Sequence, residues 1–174
     1  PALTDLLVRP ARSVGKLKFV VAGPMYPRDL AWPSNVERIE HLAPASHRRF
    51  YNSQRFTLNL TRADMRRAGH SPSVRIFEAA ACGTPIISDY WPGLEDFFEL
   101  GKEILTASSA KEVLVYLNEI SEHDRRALGE RARLRVLATH TAAHRALELE
   151  SYVAEVMQTT TTASLDTQTA GAIA

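Results

Sequence analysis

Residues 71–89 constrain the fold more than any other part of this 174-residue chain. They run Ser-Pro-Ser-Val-Arg-Ile-Phe-Glu-Ala-Ala-Ala-Cys-Gly-Thr-Pro-Ile-Ile-Ser-Asp, which reads as a helix, a glycine stop and a buried strand. Ser71 is expected to accept the first free N–H groups, with Pro72 at the first helical position, where no N–H is needed. Gly83 suits the left-handed turn that ends a helix. Pro85 blocks any continuation, and Ile86-Ile87 open a short apolar strand. Arg75 and Glu78 lie three apart and so share a helix face with Ser71 and Cys82. A cation in the first turn opposes the positive end of the helix dipole unless an anion sits there too. The pattern therefore points to a phosphate at the helix start and a carboxylate one turn further in.

Around this stretch, short apolar segments alternate with helical ones. Strands are expected at 18–23, 36–39, 56–60, 85–89 and 103–106. Helices are expected at 3–14, 44–52, 93–100, 110–120, 124–139 and 142–157. The segment 61–71 reads as a polar loop, and 24–33 as a loop rich in proline and aromatics. The alternation predicts a Rossmann-like α/β domain with a parallel sheet of about five strands, covered on both faces in three layers. Ligands of such sheets sit at the carboxyl ends of the strands. Gly23, the loop after Leu60, the Ser71 helix start and Asp89 all converge on that rim. From Thr159 onward the chain is rich in Thr, Ala and Ser without periodicity. The expected organisation is one domain over 1–158 and an unstructured tail over 159–174.

Composition narrows the function. A net charge of +1 gives no global field toward nucleic acid or acidic membrane. No apolar run approaches the ~20 residues of a membrane span. A single cysteine excludes an internal disulfide and a cysteine-rich zinc site, and it fits a reducing, cytoplasmic setting. The six histidines show no metal-ligand spacing. The chain begins Pro1-Ala2 without an initiator methionine, which suggests a fragment of a longer protein.

The residues Ser73-x-Arg75-x-Phe77-Glu78-Ala-Ala-Ala-Cys82-Gly83, then Asp89, then Phe97-x3-Gly-Lys-Glu103-Ile, then His140-Thr141-x3-Arg145 resemble the CgeB-like glycosyltransferases. These belong to the wider retaining GT-B transferases, which carry two glutamates eight positions apart near an E-A-x-A-x-G-x-P motif. The likeness covers roughly residues 17–157 and matches the second of the two Rossmann-like GT-B domains, the one that binds the nucleotide sugar. The resemblance implies an enzyme that transfers sugar from a nucleotide-diphosphate sugar, a UDP-sugar as donor, with no cofactor or metal. It also implies a missing N-terminal domain and an isolated fragment that turns over little. Carried over by position, Glu78 matches the second glutamate and would accept hydrogen bonds from ribose hydroxyls. Backbone N–H groups from Ser71 to Val74 would hold the diphosphate, with Arg75 neutralising charge. Gly23 would let the chain approach the donor. The first glutamate falls at His70, so the chain departs from the signature there.

Plainer readings stand beside these. Glu78 and Arg75 are alternatively a surface ion pair, worth a few tenths of a kcal/mol. Ser71 and Ser73 cap the helix with or without a phosphate. Cys82 reads as a small core residue, and Asp89 as the holder of the turn that follows it. Tyr90 and Trp91 suit core or interface packing more than stacking on a ligand. Arg66 and Arg67 read as a solvated face. His70 is a candidate to sense the donor phosphate, beside the plainer reading of an inert loop histidine, and in place of a glutamate it favours a second function: a non-catalytic nucleotide-binding or protein-docking module of the same fold. The apolar stripe over 142–157 would pack on the missing domain or form a dimer.

Overall fold

The computed structural model describes residues 2–27 and 29–170, with side chains up to residue 158. The chain divides into two units, Pro1–Leu137 and Ala138–Ala174.

The first unit holds five short strands: β1 (Phe19–Ala22), β2 (Val36–Ile39), β3 (Thr57–Asn59), β4 (Ile86–Ser88) and β5 (Leu105–Thr106). Every pairing is parallel, as the alternation of strand and helix predicts. Among the described residues they form two ladders, β1-β2 and β3-β4-β5. Register places Val21 opposite Arg38, and Leu58 opposite Ile87.

Helices cover the strands. A π-helical turn, Thr4–Val8, leads into α1 (Arg9–Ser13), and a 3₁₀ turn, Pro44–Ser46, leads into α2 (His47–Asn52). Then come α3 (Ala63–Ala68), α4 (Val74–Ala81), α5 (Ala110–Glu119) and α6 (Glu122–Thr139). Successive strand side chains point to opposite faces, and β4 shows the consequence. Ile86 joins a core of Tyr51, Ile76, Ala79, Ala80, Trp91, Leu94, Phe98, Ile104, Ala132 and Val136. Ile87 joins a second core with Leu6, Leu105, Ala107, Val113 and Leu128. The β4 strand is thus buried on both sides, giving the three expected layers. Each such isoleucine contributes roughly 1.5–3 kcal/mol of burial.

Three local expectations are corrected. Residues 61–71 are not all loop, because α3 forms within them. The helix expected from Ser71 starts at Val74, with Ser73 as its cap. Its start is displaced because the His70 N–H donates to the Pro92 carbonyl at 2.9 Å, holding the chain away from a helical path. The helix expected over 93–100 is only a 3₁₀ turn, Leu94–Asp96. There Gly93 takes φ +96°, and the Glu103 carboxylate accepts the Glu99 N–H at 2.7 Å, turning the chain toward β5. By contrast, α5 starts where its sequence says. Ser109 and Glu112 form a reciprocal capping box that satisfies two otherwise orphan donors.

In the second unit, α7 (Ala142–Ala170) continues as helix past Met157, where the apolar periodicity stops. Thr141 and His144 close its first turn: His144 Nδ1 accepts the Thr141 N–H at 3.3 Å, and Thr141 Oγ1 accepts the His144 N–H at 3.4 Å. Leu147, Leu149, Tyr152, Val153, Val156 and Met157 are exposed. The expected tail over 159–174 lies outside the described residues, for its side chains throughout and entirely for 171–174. Among the described residues no helix is long and apolar enough to cross a membrane.

Candidate functional site

The site is built at the carboxyl ends of the parallel strands, where the crossovers leave a polar rim. After β1, Gly23 takes φ +122°, a conformation L side chains rarely adopt. Its N–H is spent on the Ile39 carbonyl (2.8 Å) and its carbonyl on Arg38 Nη2 (3.0 Å). Gly23 therefore shapes the rim rather than donating from it. Arg38 is itself clamped, its guanidinium carbon 4.6 Å from the ring centroids of both Tyr26 and Trp32. The two rings meet edge-to-face, 5.6 Å apart, and these two cation–π contacts tie the loop after β1 to β2.

At the start of α4, the Ser73 hydroxyl accepts the Arg75 N–H at 3.4 Å and also meets Arg75 Nε at 3.2 Å. Ser71 lies in the approach to the helix and takes no part in the cap. Of the four residues expected on one face, Arg75, Glu78 and Cys82 remain there, and Ser71 does not. The alternative Arg75–Glu78 pair is absent, because Glu78 turns the other way. Its Oε2 accepts the Tyr51 O–H at 3.2 Å and lies 3.6 Å from His47 Nδ1, both from α2. The nearby carboxylate, after burial itself, pushes the Tyr51 phenol well above its usual range, so the phenol stays a donor. Burial, and then Glu78, also push the Cys82 thiol up, which keeps it protonated and inert.

His70 has φ +42°. Its Nδ1 meets Asp96 Oδ2 at 3.2 Å, and its ring covers Gly93, where a Cβ would collide with it. The position of the first signature glutamate is thus occupied by a side chain engaged with the 93–96 turn.

Sequence reasoning missed the contribution of α3. Arg62 is the extended residue that caps α3, and Arg66 lies within the helix. Arg62 Nη2 is 3.5 Å from Met25 Sδ in the loop after β1, and Arg66 Nε is 3.8 Å from Asp89 Oδ2 after β4. Arg67 pairs with exposed Asp64, so for that residue the solvated reading holds. The missing signal was the helix itself: Ala-Asp-Met-Arg-Arg-Ala is too short to show a readable periodicity. Asp89 is buried and does not hold the turn after it. Its Oδ1 accepts the Thr61 N–H (2.9 Å) and O–H (2.8 Å), tying the end of β3 to the end of β4. Asn59 Nδ2 donates to Ser88 Oγ at 2.9 Å in the same layer. Two acceptors there, Asn59 Oδ1 and Asp89 Oδ2, are buried without a hydrogen bond.

Burial dominates the Asp89 carboxyl and raises its pKa, against the Thr61 bonds and Arg66 that lower it. The folded state then binds the proton more tightly than the unfolded chain, whose aspartates titrate near ~3.9. The stability contributed by this group is present in full below that value and is lost as pH rises through the folded pKa. Asp89→Asn keeps the shape and removes the titration. Wild-type Tm is therefore expected to fall relative to Asp89→Asn as pH rises above about 4; parallel Tm curves would sink this reading.

Among the described residues no group of three or more histidine, cysteine or carboxylate side chains is placed to hold a metal ion. A shallow depression of about 310 Å³, lined in part by Gly15, Lys18, Asn35 and Glu37, opens at the amino ends of β1 and β2. It lies at the opposite end of those strands from Gly23.

The fold is shared with two solved structures. Sucrose-phosphate synthase from Thermosynechococcus elongatus superposes with a TM-score of 0.72 at 16% identity, over 88% of this chain and 42% of that one. AviGT4, a glycosyltransferase involved in avilamycin A biosynthesis, gives 0.52 at 18% identity, over 82% and 47%. The chain thus spans less than half the length of either. The parallel α/β unit thus has a fold found in GT-B glycosyltransferases. The chain belongs to the glycosyl transferase-like family, whose model matches residues 4–151. No curated protein sequence matches it.

Proposed function

We propose that this chain is the donor-binding half of a CgeB-like GT-B glycosyltransferase, binding a nucleotide-diphosphate sugar, with a UDP-sugar as the favoured donor. The observation that carries the reading is the Glu78 carboxylate. One of its oxygens is anchored by α2, and the other has no partner among the described residues. An ionised carboxylate accepts only, which suits ribose hydroxyls. The diphosphate would lie at the start of α4, where the dipole and free N–H groups favour an anion. Arg75 would neutralise it from α4, joined by Arg66 from α3 and by Arg62 at the cap of α3. Those cations would also stabilise charge developing on the departing nucleoside diphosphate, the electrostatic part of the transfer. The acceptor site and the wall that excludes water would come from a second domain, in line with the likeness covering only 42% and 47% of the two structural neighbours. A cytoplasmic setting goes with this reading.

One observation favours the second reading, a non-catalytic module. His70 sits where the signature has a glutamate, and it is tied to Asp96 and the Gly93 turn. Nucleotide binding with no transfer by the full-length protein would establish it.

Calorimetric titration of this chain with UDP, GDP and ADP tests the donor reading. One nucleotide is expected to bind saturably, and Glu78→Ala to weaken it by about 10–100-fold, the worth of a hydrogen bond to a charged group. An unchanged affinity removes Glu78 from the site.

A further inference from the structure

The Glu78 carboxylate is held from one side only. Oε2 takes the Tyr51 O–H and faces His47, while Oε1 is left to the solvent side of a side chain that is 36% exposed. Tyr51 is itself fixed. It is 6% exposed, its ring packs edge-on to Phe50 and His47, and its carbonyl accepts the Thr84 hydroxyl at 2.9 Å. The phenol therefore cannot follow a moving carboxylate; it selects one orientation of it. His47 is placed by its second nitrogen, with Nε2 at 3.3 Å from the Leu42 carbonyl in the segment after β2. A free glutamate on a helix face would have to freeze its rotamers on binding, a cost that weakens a ligand contact. Here the protein has frozen them already. A single outward oxygen with two lone-pair directions matches two neighbouring hydroxyls.

We propose that Tyr51 and His47 are positioning residues that turn Glu78 Oε1 outward, and that the site thereby selects nucleotides carrying both the 2′- and the 3′-hydroxyl. This rests on the reading of Glu78 as the ribose acceptor. The plain alternative is that Glu78 merely satisfies a buried phenol. The two differ in one quantity, the ratio of affinities for a ribonucleotide and its 2′-deoxy counterpart. General damage to the fold weakens both ligands together and leaves that ratio unmoved.

The test measures dissociation constants of UDP, GDP and ADP and of their 2′-deoxy forms with wild type, Tyr51→Phe and His47→Ala. Wild type is expected to favour the ribo form by about tenfold or more, and both variants to cut that preference to about threefold or less. A large preference that persists in both variants overturns the positioning role and leaves the ribose reading of Glu78 standing. A wild-type ratio near one, or no binding of any nucleotide, overturns the Glu78 reading and this inference with it. Should Tyr51→Phe fail to fold, His47→Ala carries the measurement, since His47 is only half-buried.

Discussion

Trp91→Ala is expected to cost about 3–5 kcal/mol, the range for truncating a fully buried large aromatic. Trp91 is 1% exposed and belongs to the core that also holds Ile76, Leu94, Phe98 and Ile104, each at 0–1%. Its ring lies 6.1 Å from Phe97, so the loss falls on the packing of the indole; the backbone carbonyl that accepts the Leu94 N–H at 3.2 Å is kept by alanine. A domain of this size has some 5–15 kcal/mol in all, so the loss is a large share of it. Urea unfolding followed by circular dichroism measures it, and Tm is expected to drop by roughly 10 °C. The competing role, a platform stacked on a base or sugar, makes the opposite forecast: stability kept and nucleotide affinity lost. A Trp91→Ala protein less than about 1 kcal/mol destabilised would reverse the assignment made here.

The same tryptophan shows what local pattern carries and what it does not. The apolar run after Gly83 and Pro85 was enough to place β4, because a strand buried on both faces must be apolar throughout, whereas β2, Val36-Glu-Arg-Ile39, is only partly buried and shows its strand character through its two β-branched ends. Capping chemistry was enough for α5, where Ser109 and Glu112 leave one plausible start. It was ambiguous at α4, where Ser71-Pro72-Ser73 offers two caps two residues apart. The choice fell to a contact with no local signal, the His70 N–H on the Pro92 carbonyl. The α3 helix was illegible for a related reason: its Arg66 is oriented by Asp89, 23 residues further on, and six residues hold too few apolar positions to show a period. The candidate site divides in the same way. Glu78 was readable because it falls in a dense motif. Tyr51 and His47, which aim it, come from another helix 27 and 31 positions away and carry no motif of their own. Positions that act through one another across the fold leave little trace in a single sequence.

Gly129→Ala sets two physical effects of opposite sign against each other, and the structure says which prevails. Gly129 lies inside α6, where alanine is the better helix former by about 0.5–1 kcal/mol. Propensity alone therefore forecasts a more stable protein. Sterics forecast the reverse. A Cβ at Gly129 would overlap the Gly83 carbonyl oxygen, come within 3.0 Å of its carbon and 3.2 Å of Pro85 Cδ. Those atoms cannot yield cheaply. Gly83 sits at φ +68° in the turn that ends α4, its N–H bonded to the Ala80 carbonyl at 2.8 Å, with Thr84 N–H on Ala79 at 3.0 Å. Moving the turn would shift α4 against β4, and moving α6 would open the core at Ala132, which is 0% exposed. Overpacking of this kind costs about 1–3 kcal/mol or more, which outweighs the gain in propensity. The variant is expected to be destabilised, with a lower urea midpoint at unchanged slope. Gly15→Ala is the control, since nothing lies within 4 Å of a Cβ there, and its midpoint is expected to stay level or rise. A stabilised Gly129→Ala protein would mean that α6 does not rest on the Gly83 turn, and with it would fall the close packing that holds α4 and its glutamate in place.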